Sequence, residues 1–247
     1  MEKDFFEPIN GRLQICVSDE HKFGTDAFLL SDFARVKRKD RCVDLGTGCG
    51  IIPLLWFREP EEAPQVAYGL DIQPKAIDQM EKTVAFCGLK DRLIPVEGDL
   101  KEISDLLPTD SFTLVTCNPP YKAGNSGILN ETDAHSIARH ELLCTIDDVC
   151  RAAARLLKFG GRLCVCQRPE RLLDTLEAMR RNKVEPKRLR FVQKRGDTAP
   201  WLFLVEGRKG SRAFLQVEAP LLIQNGQTGE YSAELRRIYR LDQAERE

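Results

Sequence analysis

The chain has 247 residues, of which 42% are hydrophobic and 30% charged, with a net charge of -1. That is enough for one large soluble domain with a sizeable core, and no apolar run approaches the roughly 20 residues of a membrane span. Nine cysteines stand singly without CxxC or zinc spacing, and His21, His135 and His140 form no ligand cluster, so neither a disulfide framework nor a metal is expected.

The acidic N-terminus, MEKDFFEPIN, has no apolar signal segment, and the expected location is the cytoplasm. The small net charge conceals an asymmetry. Residues 1–34 carry seven acids and three bases, whereas residues 151–212 carry 17 bases and six acids. The densest part, RRNKVEPKRLRFVQKR (180–195), has eight bases and one acid. Such a run is either a solvated face or a phosphate-binding surface.

Along the chain, short apolar runs alternate with helical patterns. RCVDLG (41–46) reads as a buried strand, and IIPLLWFRE (51–59) as a helix that tolerates Pro53 in its first turn. VAYGLDI (66–72) is the second strand of this series. PKAIDQMEKTVAFCGL (74–89) is a helix opened by Pro74 and closed by Gly88. RLIPVEGD (92–99) and SFTLVTCN (111–118) are further strands. TIDDVCRAAARLLKFGG (145–161) reads as a helix with Thr145 as N-cap and a Gly-Gly stop. RLCVCQ (162–167) is a strand and PERLLDTLEAMRRN (169–182) a helix. RLRFVQK, PWLFLVEGR and AFLQVEAPLLI then read as strands, and SAELRRIYR as a short helix.

This alternation predicts an α/β fold with a mostly parallel sheet, which binds ligands at the carboxyl ends of its strands. The informative residues do follow strands. The first strand ends in DLGTGCG, with Asp44, Gly46, Gly48 and Gly50. Glycines there permit a tight turn and close approach of backbone to a ligand. The spacing is neither the dinucleotide G-x-G-x-x-G nor a P-loop. Asp71 ends the second strand, where a carboxylate accepts ribose hydroxyls or simply caps a helix. Asp99 ends the third, placed to meet an adenine edge or to serve as a turn acid.

VDLGTGCG, LDI (with Ile72) and EGD resemble the cofactor motifs of the class I S-adenosylmethionine-dependent methyltransferases. The resemblance covers about residues 41–208. It implies a Rossmann-like, seven-stranded, mostly parallel sheet with helices on both faces, and S-adenosyl-L-methionine as cofactor.

The fourth strand ends in Asn118, Pro119, Pro120 and Tyr121. The residue before a proline is pushed to extended geometry, and prolines hold their own φ angles. Asn118 is therefore expected to present its side-chain oxygen beside a stiff Pro119 carbonyl, with the Tyr121 ring as a stacking face. Two acceptors gripping both N–H groups of a planar amine make its nitrogen a better nucleophile. No strong general base is expected. Asn-Pro-Pro-Tyr resembles the signature shared by adenine N6 and glutamine N5 methyltransferases.

FGTDAFLLSDFA (23–34), SIARHELLCTIDDV (136–149), VEGRKG (205–210) and the last segment together resemble the bacterial tRNA(Val) adenine N6-methyltransferase family. The resemblance spans nearly the whole chain, and AGNSG after Tyr121 departs from it. It implies an RNA partner, most naturally tRNA near the anticodon, and places Thr25 and Asp26 near the methionine end of the cofactor. Basic residues would hold phosphates, with Arg181, Lys183, Lys187, Arg188 and Arg190 as candidates. Residues 122–135 are long and polar enough for a substrate lid.

A single domain over 1–247 is expected: an N-terminal extension (1–40) contributing to the cofactor site, the core sheet (41–208) and a C-terminal extension (209–247). The alternatives are a glutamine N5 enzyme acting on a release factor, a non-catalytic RNA-binding relative and a nicotinamide oxidoreductase. The first normally carries a helical domain before the glycine corner, where this chain has about 40 residues. Intact Gly46, Gly48, Asp71, Asn118 and Tyr121 argue against the second, and the glycine spacing against the third.

Overall fold

In the computed structural model, residues 3–18, 22–119 and 144–241 are described. Pro120, Tyr121, the expected lid at 122–135 and all three histidines lie outside these residues. Two strands, β1 (Phe5–Pro8) and β2 (Gln14–Val17), form an antiparallel hairpin. Helix α1 (Thr25–Phe33) follows. Neither element carries a periodicity long enough to announce it in the sequence.

The expected alternation then appears: β3 (Arg41–Leu45), α2 (Ile51–Leu55), β4 (Val66–Asp71), α3 (Pro74–Phe86), β5 (Leu93–Glu97), α4 (Ile103–Leu106) and β6 (Phe112–Cys117). After the undescribed segment come α5 (Ile146–Leu156), β7 (Leu157–Gln167), α6 (Leu172–Arg181), β8 (Val184–Gln193) and β9 (Pro200–Lys209). The last elements are β10 (Gln216–Val217), β11 (Leu221–Leu222) and α7 (Ala233–Tyr239).

The main sheet runs β10-β8-β9-β7-β6-β3-β4-β5, with β11 also paired to β8. Seven of these strands are long, and β9 runs antiparallel to both its neighbours. Every other pairing is parallel, so β3 to β8 all point their carboxyl ends to one edge. Both faces of the sheet are covered. Leu29, Leu30, Leu54 and Met80 fill the layer on the α1 side, and Val115, Val149, Leu163 and Phe203 the layer on the α5 side.

Thr145 caps α5 as expected, in a reciprocal capping box with Asp148. Elements that differ from expectation include the following three. Helix α2 stops at Leu55 rather than 59. Lys158 to Gly161 belong to the start of β7, not to the end of a helix. There the register against β6 slips between Phe112 and Leu114, Gly160 takes φ +76°, and a Cβ on Gly161 would lie 2.9 Å from the Lys158 carbonyl. The glycine pair thus makes a bulge. Finally, AFLQVEAPLLI yields only β10 and β11, because Pro220 between them has no N–H for a ladder.

Candidate functional site

The site is built where β3, β4 and β6 end side by side. After β3, Gly46, Gly48 and Gly50 all adopt positive φ (67°, 56° and 84°). The turn is tied to β4, since the N–H groups of Gly46 and Thr47 donate to the Leu70 carbonyl at 2.8 and 3.0 Å. A Cβ on Gly46 or Gly48 would meet no atom within 4 Å, so this backbone borders open space. Gly50 is different: a Cβ there would lie 2.7 Å from Met80 Cγ of α3, so it is needed for packing.

Asp71 is buried, and both its oxygens receive backbone donors. Gly48 N–H donates to Oδ2 at 2.8 Å and Gln73 N–H to Oδ1 at 2.9 Å. It therefore braces the glycine turn from the neighbouring strand, and it does not cap α3 with its side chain. Each oxygen keeps a second lone pair. Ile72 beside it is 52% exposed and offers a flat apolar contact. Asp99 caps the short turn Leu100–Glu102, accepting from Lys101 N–H at 2.9 Å.

Asp44 is wholly buried at the end of β3. The Thr116 hydroxyl, directly opposite on β6, donates to its Oδ1 at 2.6 Å. Its Oδ2 and the Thr47 hydroxyl are buried with no partner among the described residues. Burial raises the Asp44 carboxyl to about 7, with the Thr116 hydroxyl and the nearby Thr47 hydroxyl, which makes no well-formed hydrogen bond to it, opposing the shift. An orphaned acceptor beside open glycine backbone fits a cationic ligand with hydrogen-bonding groups. S-adenosylmethionine, which carries an ammonium and a sulfonium, has that character.

Asn118 follows β6 and is held on both sides. Its amide nitrogen donates to Asp26 Oδ2 at 3.0 Å, and its oxygen accepts from the Cys166 thiol at 3.0 Å. A carboxylate can only accept, so Asp26 forces the amide to turn its NH₂ toward α1 and its oxygen away. The oxygen expected to be open is thus shared with a weak thiol donor, which leaves it a second lone pair. Pro119 is half-buried beside it.

Thr25 begins α1 and accepts from the Tyr239 hydroxyl at 2.8 Å. Arg237 is bidentate to Asp32 at 2.8 and 2.9 Å, and Arg58 donates to the Ile238 carbonyl at 2.8 Å. The C-terminal helix α7 is therefore fastened to the helix that orients Asn118. Sequence reasoning missed Thr116, Cys166 and Tyr239. Thr116 and Cys166 look like ordinary core positions of strands, and Tyr239 lies more than 200 residues from its partner.

Several bases of the expected phosphate surface meet partners within the fold. The Arg188 guanidinium is internal, bonded to Glu206 and Glu218 at 3.1 Å and to the Phe33 carbonyl at 2.7 Å. Arg190 is bidentate to Glu234 at 2.7 and 2.8 Å. Arg181 pairs with Asp147 and Glu177, and Lys187 donates to the Arg212 carbonyl. Lys183 precedes the first residue of β8, which pairs with Lys209 at the sheet edge away from Asn118. Acids elsewhere in the chain thus meet Arg181, Arg188 and Arg190, and a linear charge count cannot see them.

Among the described residues no group of His, Cys, Asp and Glu could hold a metal, and no helix is long and apolar enough to cross a membrane.

A family model described as the methyltransferase small domain matches residues 17–184. A tRNA1(Val) (adenine(37)-N6)-methyltransferase of Porphyromonas gingivalis is 28% identical over 225 residues, covering 88% of this chain and 86% of that protein. One of Bacteroides thetaiotaomicron is 33% identical over 141 residues, 57% of this chain and 56% of that protein. Among solved structures, a predicted O-methyltransferase from Agrobacterium tumefaciens matches with a TM-score of 0.69 at 19% identity, covering 87% of this chain and 95% of that one. At that identity the match speaks for the fold alone.

Proposed function

From the premise that this chain belongs to the methyltransferase small-domain family, with S-adenosylmethionine as methyl donor, we propose that its acceptor is the exocyclic amine of an adenine in RNA, in a tRNA beside the anticodon. The observation that carries this reading is the Asn118 amide, turned by Asp26 so that its oxygen stands at the carboxyl edge beside the glycine turn. The relatives named as tRNA adenine N6-methyltransferases support the substrate class.

When bound, the donor supplies a methyl group on a sulfonium sulfur, already a good leaving group. The protein's tasks are to hold and to polarise. Gly46 and Gly48 offer backbone at an open surface, and Asp71 both braces that turn and retains lone pairs for ribose hydroxyls. Ile72 offers an apolar contact and Asp99 a carboxylate at the next strand end. Asp44 presents a buried acceptor for positive charge.

At the acceptor side, the Asn118 oxygen takes one N–H of the amine and the Pro119 carbonyl the other. Those two bonds hold the amine in place and place electron density on its nitrogen. The proton that the product amine must lose leaves to solvent, since no side chain on this corner is a strong base. Pro120 and Tyr121, outside the described residues, keep their proposed roles of stiffening the corner and stacking on the ring.

An adenine must be unpaired or flipped to reach such a corner, and an anticodon loop offers unpaired bases. The test is transfer of labelled methyl groups to unmodified tRNA, followed by mass spectrometry of the nucleosides. N6-methyladenosine in the product is expected. Asn118→Ala should lower kcat at least 100-fold and leave donor affinity within a few-fold. Methyl groups found only on a glutamine of a release factor would refute the reading.

A further inference from the structure

We propose that Arg168, Lys194, Trp201 and Tyr231 form the track that binds the unpaired nucleotides flanking the target adenine, with Lys194 its one member from the basic run at 180–195. The inference rests on the adenine reading for its target but on separate residues for its content.

Strand register places these residues. Cys117 of β6 pairs with Val165 of β7, so Asn118 lies level with Cys166, whose thiol it binds. Arg168 comes two residues later, just past the end of β7. Gln167 pairs with Phe203, which brings the start of β9 to the same edge. Neighbouring strands lie about 4.8 Å apart, so Trp201, two strands from Asn118, stands roughly 10 Å to its side. Lys194 follows the last residue of β8 at that edge and is exposed.

Trp201 is the extra residue of a bulge. Val192 pairs with Leu202 and Gln193 with Pro200, leaving Trp201 without an opposite number. A bulge re-aims a side chain, and such irregularities gather beside active sites. Here the ring turns to the α1 side of the sheet, the side on which Cys166 and Tyr239 also pack. The Arg168 guanidinium carbon lies 5.6 Å from the indole centroid, and Arg168 donates to the Trp201 carbonyl at 3.1 Å. A guanidinium plane held over an indole is a surface on which bases stack.

A second aromatic group continues the edge. Gln224 N–H donates to the Lys194 carbonyl at 2.9 Å, and Gln224 bridges to Tyr231. Tyr231 is 50% exposed, with its ring centroid 6.0 Å from that of Tyr239, the residue fastened to Thr25. Three remote chain segments thus converge on one edge as ring, cation and ring. That interleaving suits single-stranded nucleic acid, in which bases stack and phosphates need positive charge.

The test uses fluorescence and kinetics together. The chain has two tryptophans, and Trp56 is buried at 7% exposure. In Trp56→Phe the emission therefore reports Trp201. A short RNA hairpin with an unpaired, adenine-containing loop should quench it, and a blunt RNA duplex should not. Trp201→Ala should raise the KM for tRNA ten-fold or more with donor affinity within two-fold, which also reports folding, and Trp201→Phe should restore most of the loss.

If the native protein methylates tRNA and Trp201→Ala leaves KM unchanged, the track is overturned and the adenine reading stands. If the hairpin quenches Trp201 but the native protein methylates no RNA, the track stands and the adenine reading falls. Quenching by a glutamine-bearing peptide and not by RNA would overturn the track.

Discussion

Asp44→Asn isolates the buried acid at the end of β3, whose second oxygen has no hydrogen bond among the described residues. Burial lifts its carboxyl from the ordinary 3.8 to about 7, and neighbouring Asp71 pushes in the same direction. Between those two values the folded chain holds a proton that the unfolded chain has released. Stability therefore falls as pH rises from about 4 to 7 and stays at the lower level above that. A gap of about three pH units, at about 1.36 kcal/mol each, makes the charged form cost roughly 4 kcal/mol.

Asparagine still accepts from the Thr116 hydroxyl and cannot ionise. Without ligand, the variant should match the native protein near pH 4 and exceed its stability by a few kcal/mol at pH 8 in urea titrations. Donor binding should move the opposite way. In calorimetry the native affinity should rise with pH through about 7, as the carboxylate forms, and the variant should bind weakly with a flat profile. Identical stability-versus-pH slopes for the two proteins between pH 4 and 7 would refute the reasoning.

Asp71→Ala strips acceptors from the Gly48 and Gln73 N–H groups, and should weaken donor binding at least ten-fold by calorimetry; unchanged binding rejects its place in the site. Asp26→Asn lets the facing amides adopt either orientation, so the single-turnover rate should fall about ten-fold, by more than donor affinity does. An unaltered rate would remove the amide-orienting role. Arg188→Met removes donors to Glu218 and the Phe33 carbonyl and takes one of three arginines from Glu206, leaving it Arg162 and Arg208. The urea midpoint should drop by the equivalent of about 3 kcal/mol, with KM for tRNA unchanged in the folded protein. A stable variant with a raised KM would return Arg188 to the RNA surface.

Much of this site was written in local sequence. DLGTGCG, LDI and EGD mark strand ends, because only glycine takes positive φ cheaply and because a polar residue after a buried strand faces the sheet edge. The strands of the core were legible from their apolar runs, since a sheet covered on both faces has no polar side to disguise them. The hairpin β1–β2 and the helix α1 were not. They are short, and their stability comes from what they lie against.

The amino-acid order determined on its own that a glycine turn, successive acids and a stiff Asn-Pro corner would follow consecutive strands of one sheet. It also held the basic run, but not what that run meets. Only the folded chain decided that Glu206, Glu218 and Glu234 neutralise Arg188 and Arg190, that Asp26 and Cys166 grip Asn118, and that Arg168 and Trp201 share its edge. The physical reason is range. Backbone conformation and apolar periodicity are set within a few residues, whereas ion pairs and side-chain hydrogen bonds depend on strand order and register, which join residues 18 to more than 200 positions apart.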